Sequence, residues 1–136
     1  MKTKVFFLLP MFLLFLSCSS DNDVPEKTIE PVTYEVLLFE FTADTGNNSS
    51  RLHYEIKYTN PNDVAVKGTS SVTANYNGLI LTPIKRVPPY TEIGANSTYT
   101  EVYNVESPHD TQSLSPEQIK TYYIKFVSAK FVFAID

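Results

Sequence analysis

An all-β fold, an antiparallel sandwich of about seven strands with one short helix, follows from three observations. From Val32 onward the apolar residues recur with a period of two. Turn-forming residues interrupt them at short intervals, and one segment alone carries a helix start signal.

The clearest strand comes from Leu52, Tyr54, Ile56 and Tyr58, which alternate with His53, Glu55, Lys57 and Thr59. That pattern gives one buried and one wet face. Ahead of it, Tyr34 to Phe41 begins in one phase and continues in the other. The switch near Leu37 and Leu38 predicts a bulge or burial on both faces. Between these strands, Asp44 to Ser50 consists of Asp, Thr, Gly, Asn and Ser, which reach turn conformations easily and predict a hairpin connection. Asn60-Pro61-Asn62-Asp63 closes the second strand with the same chemistry.

Asn77-Gly78 lies between Val72–Tyr76 and Leu79–Leu81, and both turn residues tolerate positive φ. The hairpin it predicts sets Tyr76 opposite Leu79 and Ala74 opposite Leu81. Pro83 and the pair Pro88-Pro89 confine the next stretch to an edge strand or loop. Thr98 to Val105 resumes extended character, with Tyr99, Tyr103 and Val105 on one face. Ser115-Pro116-Glu117-Gln118 has Ser at the N-cap, Pro at the first helical position and Gln where a capping box needs it, so a short helix starts there. The apolar run Ile124 to Ile135 predicts a final, central strand. Strands of this number and spacing suit a sandwich of immunoglobulin-like type occupying residues 32–136.

The N-terminal part has a different grammar. Lys2 and Lys4 precede a greasy run from Val5 to Leu16, then the small residue Ser17 and the single cysteine of the chain, Cys18. Residues 1–17 read as a secretory signal, too short for an ordinary membrane span. Phe15-Leu16-Ser17-Cys18 resembles the lipobox of bacterial lipoproteins, with Phe where Leu is usual. The resemblance implies acylation of Cys18 and a mature chain that begins there. Residues 18–31, starting Ser19-Ser20-Asp21-Asn22-Asp23 and containing Pro25 and Pro31, form an acidic, solvated tether. The run after Cys18 also resembles the acidic export signals of surface lipoproteins of Bacteroidota, with Asn22 interrupting the acidic residues. It implies anchoring in the outer membrane with display on the cell surface; a domain facing the periplasm is the alternative.

Composition narrows the function. Without Lys2 and Lys4 the formal net charge of −4 becomes −6, a poor match for nucleic acid or anionic lipid. Lipidation of the one thiol leaves none for a disulfide, a thiolate metal site or a cysteine nucleophile. The four glycines build no phosphate loop, and no metal or cofactor site is expected. Asn60, Asn62 and Asp63 are oxygen-rich, but read as an Asx turn rather than a calcium cage. His53, beside Glu55, reads as a solvated or paired imidazole on a wet strand face. His109-Asp110 could form a triad with Ser107, Ser113 or Ser115 only if the fold aimed them together, and it reads as part of a connector.

Tyrosines are the remaining candidates for recognition. Tyr90, Tyr99 and Tyr103, with Tyr122 and Tyr123, could serve as a binding surface or could simply be half-buried strand residues. The segments Tyr54–Asn62, Tyr76-Asn77-Gly78 and Ala95-Asn96-Ser97-Thr98 resemble the LEA-2 (water stress and hypersensitive response) domain. That family has a strand ending in Asn-Pro-Asn, an Asn-Gly hairpin and an Ala-Xaa-Ser-Thr step into the next strand. The resemblance implies a β-sandwich and transfers no catalytic residue.

The sequence therefore predicts a non-catalytic, lipid-anchored envelope module that meets a protein partner. A carrier of a hydrophobic or glycan ligand is the second reading, and a hydrolase built on the His109 loop the third.

Overall fold

The computed structural model describes residues 28–83, 88–111 and 113–134. The signal segment, Cys18 and the tether up to Lys27 lie outside them. The order of elements is β1 (Thr33–Thr42), β2 (Ser49–Thr59), β3 (Val66–Tyr76), β4 (Leu79–Leu81), β5 (Thr91–Ile93), β6 (Thr98–Pro108), a 3₁₀ turn (His109–Thr111), α1 (Pro116–Thr121) and β7 (Ile124–Phe133). They form an all-β sandwich of two antiparallel sheets. One has the order β1-β2-β6; in the other, β3 pairs with β7 and with the short strands β4 and β5.

The predicted local devices are in place. The β1–β2 register shifts between Val36 and Leu38, where the alternation changed phase. Asn77 and Gly78 both adopt positive φ, at 50° and 100°, and the hairpin sets Tyr76 against Leu79 and Ala74 against Leu81. Ser115 caps α1: its Oγ accepts the Gln118 N–H at 3.3 Å, and Gln118 Oε1 accepts the Ser115 N–H at 2.8 Å.

One expectation fails. The Ile124–Ile135 run was expected to be a central strand, yet among the described residues β7 pairs with β3 alone and lies at the sheet edge. Its apolar side chains are used across the sandwich instead. Phe126 meets Phe39 edge-on at 5.6 Å and Tyr34 at 6.2 Å, while Phe131 packs against Tyr58 at 5.9 Å. An apolar edge strand needs only one partner strand if its inward face is covered by the opposite sheet.

The packed core gathers at one end. Val32, Ile56, Tyr58, Val66, Ile93, Ala129 and Phe131 are buried together, with Tyr54, Val72, Tyr99 and Phe126 packed against them. That end is closed by Asn60, whose side chain is fully buried. Its Nδ2 donates to the carbonyls of Val64 (2.8 Å), Gly94 (2.9 Å) and Ile93 (3.2 Å), and its Oδ1 accepts the Asn62 N–H at 3.0 Å. Asn62 in turn exchanges two bonds with the Glu30 backbone, at 2.8 and 3.0 Å. Glu30, assigned to the tether by sequence, is therefore tied to the sandwich ahead of β1. The pair Asn60 and Asn62 is the Asx turn the sequence implied, extended into a clamp that joins both sheets to the incoming chain.

At Gly68 of β3, a Cβ would fall on the Val132 carbonyl oxygen and 2.6 Å from the Phe131 ring. Because backbone rather than a flexible side chain blocks the space, Gly68→Ala must separate β3 from β7. A loss of about 2 kcal/mol or more is expected, measured as a fall in the urea midpoint. Asn60→Ala strands several buried carbonyls and is expected to cost about 3 kcal/mol in the same experiment.

A candidate functional site between the sheets

Away from the Asn60 end, the two sheets do not fill the space between them. The inward positions of β3 there are Ser70, Val72 and Ala74, which supply little volume. Opposite them, Phe39, Tyr54 and Tyr103 are in register across β1, β2 and β6. Their rings form a continuous stack, with centroids 5.9 Å apart at 8° and 4.9 Å apart at 6°. The result is a cleft of about 370 Å³, walled by these rings, Leu52 and Tyr76, with Pro83 also in its lining. It is at the small end of the usual ligand-pocket range.

Among the described residues, Glu101 is the one carboxylic acid lining the cleft. It lies on β6 opposite Ile56, two residues from both Tyr99 and Tyr103, so strand alternation turns it inward with them. Its Oε2 is cut off from solvent and has no hydrogen-bond partner. The neighbouring phenols respond to this environment. Tyr54 is held well above the ordinary phenol range, first by burial and then by the charges of Glu101 and Tyr103. Burial pushes Tyr58 up to about 12, with the Glu101 charge adding to it and the 2.5 Å hydrogen bond to Ser70 Oγ opposing it. Tyr76 is also raised, chiefly by burial. The cleft is therefore lined by the neutral phenols of Tyr54 and Tyr76, with Glu101 beside them.

Of the tyrosines singled out by sequence, only Tyr103 lines this cleft. Tyr99 is half-buried against the core, and Tyr90 stands just before β5, outside the cleft lining. Tyr122 packs edge-on against Phe41 at 5.8 Å, and Lys125 Nζ sits 4.9 Å over the Tyr123 ring. Glu101 was missed, although the alternation that groups Tyr99, Tyr103 and Val105 places it on the same face.

The other polar groups have structural duties. His109 is buried, and its Nε2 lies 3.0 Å from the Ala43 carbonyl, which can only accept, so that nitrogen carries the proton and donates. Its backbone N–H bonds the Asn48 carbonyl at 2.8 Å. The His109 loop thus ties down the β1–β2 connection. Ser115 is occupied as the helix cap. His53 Nε2 lies 3.5 Å from Glu55 Oε1. On the β1–β2 connection, Ser49 and Thr45 donate to Glu106 and Arg51 pairs with it at 3.2 Å. The Ser49 bond, more than the others, holds the Glu106 carboxyl below its ordinary range. Among the described residues, no group of three or more His, Cys, Asp or Glu could hold a metal ion, and no helix is long and apolar enough to cross a membrane.

No family model, curated protein or solved structure matches the chain.

The raised phenols make stability pH-dependent on the alkaline side. Below about pH 10 the folded and unfolded phenols are both neutral and the fold has no penalty; above it the unfolded chain ionises first. Stability is therefore expected to fall as pH rises from about 10 through the Tyr58 value of about 12. Tyrosinate absorbance followed together with circular dichroism should show the Tyr54 and Tyr58 phenols ionising only as the fold is lost.

Proposed function

We propose that the chain is a lipid-anchored, non-catalytic β-sandwich module of the cell envelope, and that its β6–β4 flank receives a protein partner. The observation that carries this reading is the exposed apolar surface of that flank. Leu79 and Ile80 of β4 are about 60% exposed and Val102 of β6 is 61% exposed, with Leu81 and Val105 also open to solvent. β6 pairs with β2 along its whole length, and its other edge has no strand against it among the described residues. Such an edge can take an extended segment from another chain, with backbone hydrogen bonds giving affinity and side-chain pockets giving selectivity.

The anchor supports the same reading. Chain entry at Glu30 is at the Asn60 end, whereas the β3–β4 hairpin and Pro108 of β6 stand at the other. A ten-residue strand such as β1 separates the two ends by roughly 30 Å at ~3.3 Å per residue. With Cys18 lipidated, the β3–β4 hairpin would stand at the end of the sandwich opposite the one the tether enters. Outer-membrane anchoring with display on the cell surface follows from the acidic run after Cys18, with the periplasmic face as the alternative.

The cleft favours a second reading, a module that binds a small ligand between its sheets. A carbohydrate platform is the weaker form of it, because the Tyr54 and Tyr103 rings already stack on each other.

A photocrosslinker placed at Val102 or Ile80 in living cells is expected to give a discrete adduct, and one at Val127 of β7 none. Ile80→Asp should reduce the adduct at Val102. Cys18→Ala should move the chain from the membrane fraction to the soluble one. Equal labelling from all three positions, or from none, would count against the flank as an interface.

A further inference from the structure

Glu101 poses a chemical problem that the fold leaves open. Withdrawing a carboxylate from water costs several kcal/mol unless a positive charge or hydrogen-bond donors replace the lost hydration. Among the described residues no basic side chain bonds Glu101 Oε2. Arg51 pairs with Glu106, Lys57 with Glu35 and Lys67 with Glu92, while Lys125 lies over Tyr123. Glu101 Oε2 remains without a partner. Glu101 itself lines a cleft walled by aromatic rings.

We propose that this cleft binds an organic cation, an alkylammonium or guanidinium group, with Glu101 as its counter-ion and the Tyr54 and Tyr103 rings packing on its stem. The inference rests on reading the flank as a binding surface, and names the chemistry taken by the cleft behind it. A carboxylate suits a cation because it neutralises the charge, and the edges of the stacked Tyr54 and Tyr103 rings offer apolar surface to the stem. A neutral ligand would leave Glu101 Oε2 without a charged partner. A divalent metal would find a single carboxylate where it requires several oxygen ligands. The volume of about 370 Å³ admits a group of the size of a lysine side chain. The same chemistry is available from a Lys or Arg side chain of a partner protein and from a free amine.

The inward charge has a competing use, because an inward-pointing acid on an edge strand discourages sheet-to-sheet aggregation. Binding separates the two. The folded domain carrying its tether, with Cys18→Ala to keep it soluble, is titrated with n-butylammonium, with Nα-acetyl-lysine methylamide, and with the uncharged controls n-butanol and Nα-acetyl-norleucine methylamide. Ring resonances of Tyr54 and Tyr103 report occupancy. Both cations should shift these resonances in a saturable way, and the controls should not. Glu101→Gln, which preserves shape and removes charge, should weaken binding by about tenfold or more, while its remaining spectrum stays native. Tighter binding of the lysine amide than of butylammonium assigns the site to a polypeptide side chain; the reverse assigns it to a free amine.

Equal response to cation and control, or undiminished binding by Glu101→Gln, would overturn the inference. Because the titration uses the isolated domain, its failure is distinct from the loss of a crosslinked partner at the flank in cells.

Discussion

The structure depends on the buried amide of Asn60. Four backbone groups from two chain segments, 62–64 and 93–94, converge on it, and each would otherwise lack this partner. Through Asn62 the same network reaches the Glu30 backbone, so the chain leading into β1 is fastened where β2 ends and β5 has just passed. A charged or apolar residue at position 60 could not supply two donors and an acceptor at once. The closed end of the sandwich is thus organised by hydrogen bonding, and the apolar core assembles directly above it.

The open end follows from the composition of β3. At the closed end, Val66 packs among Tyr58, Ile93 and Phe131, and Gly68 brings β7 close enough for its own backbone to forbid a side chain. Further along, Ser70 reaches the Tyr58 hydroxyl and Val72 the edge of the core, but with Ala74 they supply too little volume to fill the space before the Phe39, Tyr54 and Tyr103 rings. The aromatic stack of Phe39, Tyr54 and Tyr103 therefore satisfies itself laterally across three strands and leaves space in front of it. Filling that space would have required larger residues on β3, which Ser70 and Ala74 do not supply. Cleft and core are two consequences of one strand whose side-chain volume changes along its length.

Charge is arranged with the same economy. Glu106, on the solvent side, has hydroxyl and guanidinium donors and serves to order a loop. Glu101, five positions earlier on the same strand and facing inward, has rings around it and an oxygen with no donor. The parity of a strand position alone separates these two environments. The difference makes the first a structural group and the second the natural focus for recognition in a module proposed to bind rather than to catalyse.

Much of the fold was legible because its signals are local. Alternation over Leu52–Tyr58, the Asn77-Gly78 turn, the phase change before Leu38 and the Ser115 cap each depend on neighbours within a few residues, where backbone sterics and short-range hydrogen bonds decide the outcome. The sequence by itself also determined the inward face of β6, on which Tyr99, Glu101 and Tyr103 alternate. Only the tertiary structure decided that β7 is an edge strand, since an apolar run is the same whether one or two strands flank it. It alone tied Glu30 to Asn62 and aligned Tyr103 with Tyr54 and Phe39. It also left Glu101 Oε2 without a donor. Those features depend on which distant segments face each other, and on whether their volumes match, which no local pattern records.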